Sequence, residues 1–179
     1  MTENSPNDSV PPTAVVTGAS GTLGQQICDR FRRNGFVVIR ADTVSKSGDT
    51  LLAPRHDSSG WSYPLDVAQP DQWKTLRNFV DVEFSQLDCL VNCAGKLAFG
   101  EAGTTHWQDD IQVLNVNLHG TILGCTTMLD LLRKSPRGHL INIASYSGFA
   151  ALPWATVYSA SKAGVIAYTE SLALSLIHI

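Results

Sequence analysis

The chain has 179 residues, 44% hydrophobic and 16% charged, a balance that suits one globular domain with a sizeable core. A formal charge of −3 and a pI near 5.9 favour neither nucleic acid nor an anionic membrane as partner. No apolar run approaches the roughly eighteen residues of a membrane span. Residues 1–12 are polar and proline-containing, without the basic start and apolar middle of a signal peptide. They are expected to form a disordered leader on a cytoplasmic protein, with residues 13–179 as a single domain. Cys28, Cys89, Cys93 and Cys125 form no C-x-x-C and have no matching histidine cluster. They read as reduced interior thiols, and no metal site is expected.

The first element is the apolar, β-branched run Thr13-Ala-Val-Val-Thr17, a buried strand. Gly18-Ala-Ser-Gly21-Thr-Leu-Gly24 follows at once, and a helix then carries Leu23, Ile27 and Phe31 on one face, stopped by Gly35. A strand, a glycine turn and a helix are the context of a dinucleotide fingerprint. Glycines let the backbone approach a pyrophosphate, and the helix N-terminus stabilises its charge. Phe36-Val-Val-Ile39 is the second strand and ends in Arg40-Ala-Asp42, eighteen residues past Gly24. An acid at that interval either accepts from the adenosine ribose or is a solvated loop acid. Thr43 to Gly60 reads as a long connection. Trp61-Ser-Tyr63-Pro-Leu65 is a third strand, placed at an edge by Pro64. Pro70-Asp71 opens an amphipathic helix with Trp73, Leu76, Phe79, Val80 and Phe84.

Leu87 to Val91 is the fourth strand, ending in Asn92-Cys93-Ala94-Gly95, whose small residues let a cofactor lie close to the backbone. A long helical region from about Thr105 to Arg133 holds Asn115, Asn117, His119 and Gly120; His119 reads as a packing or surface residue. Gly138 to Ile143 is the fifth strand, and the last helix begins near Tyr158. Alternation of strands and helices, with strands apolar on both faces, gives an α/β fold with a doubly wound parallel sheet.

The chemistry concentrates between Ser145 and Lys162. Tyr158 and Lys162 stand four apart on a helix and share one face. An ammonium one turn from a phenol favours the phenolate, so the pair suits general acid/base work on an oxygen. Ser145 follows the fifth strand, at the end that faces the ligand crevice of open α/β sheets. Its surroundings, Ile-Ala-Ser-Tyr-Ser, are not G-x-S-x-G and do not suit a hydrolase. Phe99, Phe149, Trp154 and Val157 form either an apolar pocket wall or ordinary packing.

From Thr13 to about Leu174 the chain resembles the short-chain dehydrogenase/reductases. Thr17-Gly18-x-x-Gly21-x-x-Gly24 is similar to the family's cofactor turn, and Asp66-Val67 to its adenine-contacting acid. Asn92-Cys-Ala-Gly95 resembles the family's N-N-A-G, and Asn117-Leu-His-Gly120 its N-x-x-G, a frame that selects Asn117 over Asn115. Ser145 with Tyr158-x-x-x-Lys162 matches the catalytic serine and the Y-x-x-x-K. The resemblance implies a Rossmann-type, NAD(P)-dependent oxidoreductase that moves a hydride between nicotinamide and an alcohol or carbonyl compound. Its catalytic residues would be Asn117, Ser145, Tyr158 and Lys162, with Asn117 holding a water that links Lys162 to solvent. Gly18, Ser20, Gly21, Thr22, Leu23, Gly24, Asp42, Asp66, Val67, Asn92, Ala94 and Gly95 would bind the cofactor, with Tyr158 and Lys162. The Asp42 carboxylate would repel a 2′-phosphate, so NAD is expected over NADP, with Arg40 and Lys46 as nearby cations. The partner is a small molecule, neither nucleic acid nor membrane, and a full-length form is expected to be a homo-oligomer. In most short members the middle glycine comes one residue later, where Thr22 stands here. The family continues with two more strands, so a chain ending at Ile179 is expected to be truncated, with an open fifth strand that favours aggregation. A catalytically inactive Rossmann fragment, or a nucleotide-binding module, is the alternative reading.

Overall fold

The computed structural model describes residues 11–44, 48–58, 60–101 and 103–176. Most of the expected leader, and Lys46, lie outside them. The strands are β1 (Thr13–Thr17), β2 (Val37–Asp42), β3 (Arg55–Asp57), β4 (Gly60–Pro64), β5 (Cys89–Asn92) and β6 (His139–Asn142). The helices are α1 (Thr22–Arg33), α2 (Pro70–Phe84), α3 (Trp107–Leu114), α4 (Gly120–Lys134) and α5 (Thr156–Leu176). The strands form one sheet in the order β3-β4-β2-β1-β5-β6. All pairs are parallel except β3 with β4. The five parallel strands follow the Rossmann order, with β2 on one side of β1 and β5 on the other. That reversal of strand order opens a ligand crevice at the strands' C-terminal ends.

Alternation along β1 shows why the strands read as continuous apolar runs. Val15 faces the larger core, with Trp73, Leu76 and Val80 of α2 and Met128, Leu131 and Leu132 of α4. Ala14 and Val16 face the other side, where Cys28, Ile27 and Phe31 of α1 pack. Successive side chains of a strand point to opposite faces, and helices cover both. Trp73 is fully buried and donates its indole N–H to the Val67 carbonyl at 2.9 Å.

Four expectations need correction. Thr43 to Gly60 is not a plain connection, because Arg55–Asp57 pairs antiparallel with β4. This strand is polar and exposed on every residue, so no apolar alternation announces it. Consequently β4 is not an edge. β3 covers only its first part, Gly60 to Ser62, and Pro64 lies past that pairing. The long helix is also interrupted: residues Asn115–His119 form a π turn between α3 and α4. Finally, Leu23 does not pack with Ile27 and Phe31. It is 51% exposed, at the first turn of α1. α5 begins at Thr156, within the ordinary uncertainty of a helix end.

β6 ends the sheet. Its outer side has no partner strand among the described residues, and Ile141 is 41% exposed there. Among the described residues no helix is long and apolar enough to cross a membrane.

All four cysteines are free, and three are buried. Burial pushes the Cys28 thiol up to about 12 and the Cys89 thiol up to about 11. Both values lie above that of an unfolded thiol, about 8.5, so the native state holds more protons than the unfolded state in between. Stability from these thiols is therefore full below pH 8.5 and is lost as pH rises through the folded values. Denaturant unfolding from pH 8 to 11 is expected to show falling stability, with a shallower slope in Cys28→Ala. An unchanged slope would remove this thiol as a cause.

Candidate active site

A cleft of about 490 Å³ lies where β1, β2, β4 and β5 end. Gly18, Gly21, Thr22, Leu23 and Gly24 form one wall, Asp42, Asp66 and Val67 a second, and Cys93 to Lys96 a third. The turn is built for close approach. Gly18 has φ +64°, and a Cβ there would sit 2.6 Å from the Ala94 Cα. A Cβ on Gly24 would collide with the Gly18 carbonyl. Gly21 differs: a Cβ there would meet only the Gly18 oxygen, at 3.4 Å. The protein therefore demands Gly18 and Gly24, whereas bare Gly21 leaves space on the cleft side. Gly21 also caps α1 without a side chain, so the N–H groups of the first turn face a cleft lined by Thr22 and Leu23. An uncapped helix start over a bare glycine fits a pyrophosphate.

Thr17 locks this turn to the loop after β5. Its Oγ1 accepts from the N–H groups of Cys93 and Ala94, both at 3.0 Å. Asp42 accepts the Ser20 N–H at 2.8 Å and the Thr43 N–H at 2.7 Å while still lining the cleft. Ser20 thus holds the acid rather than facing the cleft, and its hydroxyl donates to the Val44 carbonyl at 2.6 Å. Arg40 is directed elsewhere: its guanidinium donates to Ser62 at 2.7 Å and pairs with Asp57 at 3.3 Å. Asp66 lines the cleft and accepts the Ala68 N–H at 3.0 Å. Asn92 turns away from it. Its amide donates to Asn142 at 2.9 Å and to the Cys125 sulfur at 3.4 Å, tying β5 to β6 and α4. Its side chain is a structural tie rather than a cleft contact.

Asn117 sits in the π turn and is fully buried. Its Oδ1 accepts the Lys96 N–H at 2.7 Å, and its Nδ2 donates to the Lys96 carbonyl at 2.9 Å and to Ser161 Oγ at 3.0 Å. Both amide protons are spent, so the side chain acts as a clamp. A Cβ on Gly95 would lie 3.7 Å from Asn117 Oδ1 and 3.9 Å from Lys162 Nζ, so both groups converge on the cleft wall.

Lys162 is 5% exposed and donates to the Ile143 carbonyl at 2.7 Å. Burial lowers its pKa from the usual lysine value. Its Nζ lies 5.9 Å from the centroid of the half-buried Tyr158 ring. Ser145 opens a short 3₁₀ turn, Tyr146–Gly148, and its Oγ accepts both the N–H and the O–H of Ser147, at 3.2 and 2.9 Å. With both lone pairs engaged, the Ser145 hydroxyl proton is left to donate outward.

Sequence reasoning missed the supports: Thr17, Ser147 and Ser161. The signal was a small hydroxyl residue beside or within each motif. Ser161 stands inside Tyr158-Ser-Ala-Ser-Lys162 and donates to the Tyr158 carbonyl at 2.7 Å.

Comparison with known proteins places the chain in a family. The family model for short chain dehydrogenases matches residues 12–178, and the chain belongs to that family. It is 32% identical over 166 residues to a 3-alpha-(or 20-beta)-hydroxysteroid dehydrogenase of Mycobacterium tuberculosis, covering 91% of this chain and 62% of that protein. An uncharacterized oxidoreductase of Staphylococcus saprophyticus is 30% identical over 159 residues, which cover 88% of this chain and 64% of that one. Among solved structures, the aldohexose dehydrogenase of Thermoplasma acidophilum superposes with a TM-score of 0.79 at 26% identity, over 95% of this chain and 63% of that one. The chain thus spans less than two thirds of these relatives' lengths.

The Thr17 lock can be tested. Thr17→Val keeps the shape and leaves two part-buried N–H groups without this acceptor, at up to about 1–3 kcal/mol each. Chemical denaturation should show that loss, and dinucleotide affinity should fall with it. Unchanged stability and affinity would show that the two loops are held otherwise.

Proposed function

We propose that the protein interconverts an alcohol and a ketone or aldehyde with NAD as cofactor. The observation that carries this reading is the buried Lys162 ammonium beside the Tyr158 ring, 5.9 Å from Nζ to centroid, against the Gly95 wall of a cleft shaped for a dinucleotide. When bound, the nicotinamide supplies the hydride donor or acceptor, which no side chain can. The N–H groups at the start of α1 would hold the pyrophosphate. Asp42 would accept from the adenosine ribose, and Asp66 with Val67 would contact the adenine. Lys162 retains two ammonium protons beyond its bond to Ile143, and these would donate to the nicotinamide ribose.

In the reducing direction Tyr158 gives its hydroxyl proton to the substrate oxygen, and in the oxidising direction it takes one back. The Lys162 ammonium stabilises the phenolate that develops, with more effect because the site is partly dry. Ser145 donates its free hydroxyl proton to the same substrate oxygen and fixes its position. Asn117 acts through others, keeping the Lys96 backbone and the start of α5 in register.

The cofactor preference follows from charge. Asp42 repels a 2′-phosphate, and the Arg40 guanidinium is turned toward Ser62 and Asp57.

Two measurements test this reading on the protein in its natural length. Tyr158→Phe should lower turnover by about 10²–10⁴-fold with dinucleotide affinity retained; unchanged turnover would remove Tyr158 from proton transfer. Asp42→Ala should narrow the preference for NAD over NADP by about tenfold, equivalent to about 1.4 kcal/mol. Tighter binding of NADP than NAD by the unaltered protein would contradict the assignment.

A further inference from the structure

The names of the relatives span hydroxysteroids and aldohexoses and so do not select a substrate for this chain. Its own surface does. Between Ser145 and Tyr158, residues 146–157 contain no acidic or basic side chain and no histidine. Within this stretch Phe149 is 76% exposed and Trp154 is 64% exposed. Leu152 is exposed too, and from the loop after β5 so are Leu97 and Phe99.

These two loops are joined. The Gly100 N–H donates to the Trp154 carbonyl at 2.9 Å, one residue from Phe99. The Leu152 N–H reaches Ser159 Oγ at 3.4 Å, which ties the stretch to α5 beside Tyr158. Nearby cations are engaged: Lys96 with the Gln112 side chain, and Lys162 with the Ile143 carbonyl.

Trp154 has φ +61°. A bulky residue in the left-handed region is a steric outlier. Glycine would adopt the same backbone without strain. The strained conformation leaves a large indole in solvent, a poor outcome for folding alone and a useful one for binding an apolar face.

We infer that Trp154, with Phe99 and Phe149, determines specificity for uncharged carbonyl or alcohol substrates with a bulky apolar body. This rests on the oxidoreductase reading above: the reacting oxygen would meet Tyr158 and Ser145 while the hydrocarbon lies on the indole. Charged acids would find no opposite charge within residues 146–157.

The test uses the protein in its natural length, Trp154→Ala and Trp154→Gly, with 2-acetylnaphthalene as the bulky ketone, acetone as the small ketone and glyceraldehyde as a small polar aldehyde. The unaltered protein should show a KM for the naphthyl ketone at least about tenfold below that for acetone, the ratio expected for about 1.4 kcal/mol of added contact. Both variants should raise the naphthyl KM about tenfold, with kcat and the acetone KM within about twofold. Trp154→Gly should also melt higher than Trp154→Ala, since it relieves the backbone. Binding gives a second readout: the naphthyl ketone should quench tryptophan emission in the unaltered protein at lower concentration than in either variant.

A naphthyl KM and quenching curve that do not move in the variants would overturn the inference, even with all carbonyls turned over. So would a fall in melting temperature in both variants with no change in KM, which marks the wall as covered by protein. Preference for glyceraldehyde over both ketones would also overturn it. Absence of turnover with every carbonyl sinks the oxidoreductase reading instead, and Trp154-dependent quenching would still support the apolar site.

Discussion

One amide holds the site together. Asn117 bonds both backbone groups of Lys96 and the hydroxyl of Ser161, and so joins the loop after β5, the π turn and α5. It is fully buried, where each polar group left unpaired costs about 1–3 kcal/mol. The π turn is the local price of that position. Such turns disrupt regular helix packing and recur at functional sites. Through Ser161 the clamp reaches the backbone of Tyr158, and four residues on stands Lys162. Thr17 does the parallel work at the glycine turn, where one hydroxyl accepts two N–H groups and fixes that turn against Ala94. These two anchors brace both sides of the cleft with hydrogen bonds, the kind of support that positioning catalysis requires.

Electrostatics then follow from burial. Lys162 lies in a site where its charged form is disfavoured, and among the described residues its ammonium donates to the Ile143 carbonyl. An ammonium kept there is poised to interact with negative charge that appears nearby. The same burial keeps the thiols protonated: Cys93 lines the cleft, yet desolvation raises its pKa despite the nearby Lys162.

Much of this was legible in the residues, for physical reasons. Strands buried on both faces must be apolar throughout, so β1, β2 and β5 were plain. Gly18 and Gly24 stand where any side chain would strike backbone, so their spacing marked the turn. What escaped had no pattern to betray it. β3 is a polar, exposed pair for β4, held by backbone hydrogen bonds. The π turn changes a helix's hydrogen bonding without changing its composition. Ser20 and Asn92 sit inside motifs, yet their side chains bond inward, to Val44 and to Asn142 with Cys125. A motif fixes where the backbone runs and leaves open which side chain reaches the ligand.

The central claim is that this cleft passes a hydride between nicotinamide and a carbonyl carbon while Tyr158 handles the proton. Isotope transfer tests it most directly. The natural-length protein would be given NADH deuterated at C4, in each stereochemical form in turn, with 2-acetylnaphthalene in ordinary water, and the alcohol analysed by mass spectrometry. The predicted result is one deuterium on the carbinol carbon from one form only, with the hydroxyl proton drawn from solvent. Alcohol formed without label from either form, or label lost to water, would contradict hydride transfer in this site.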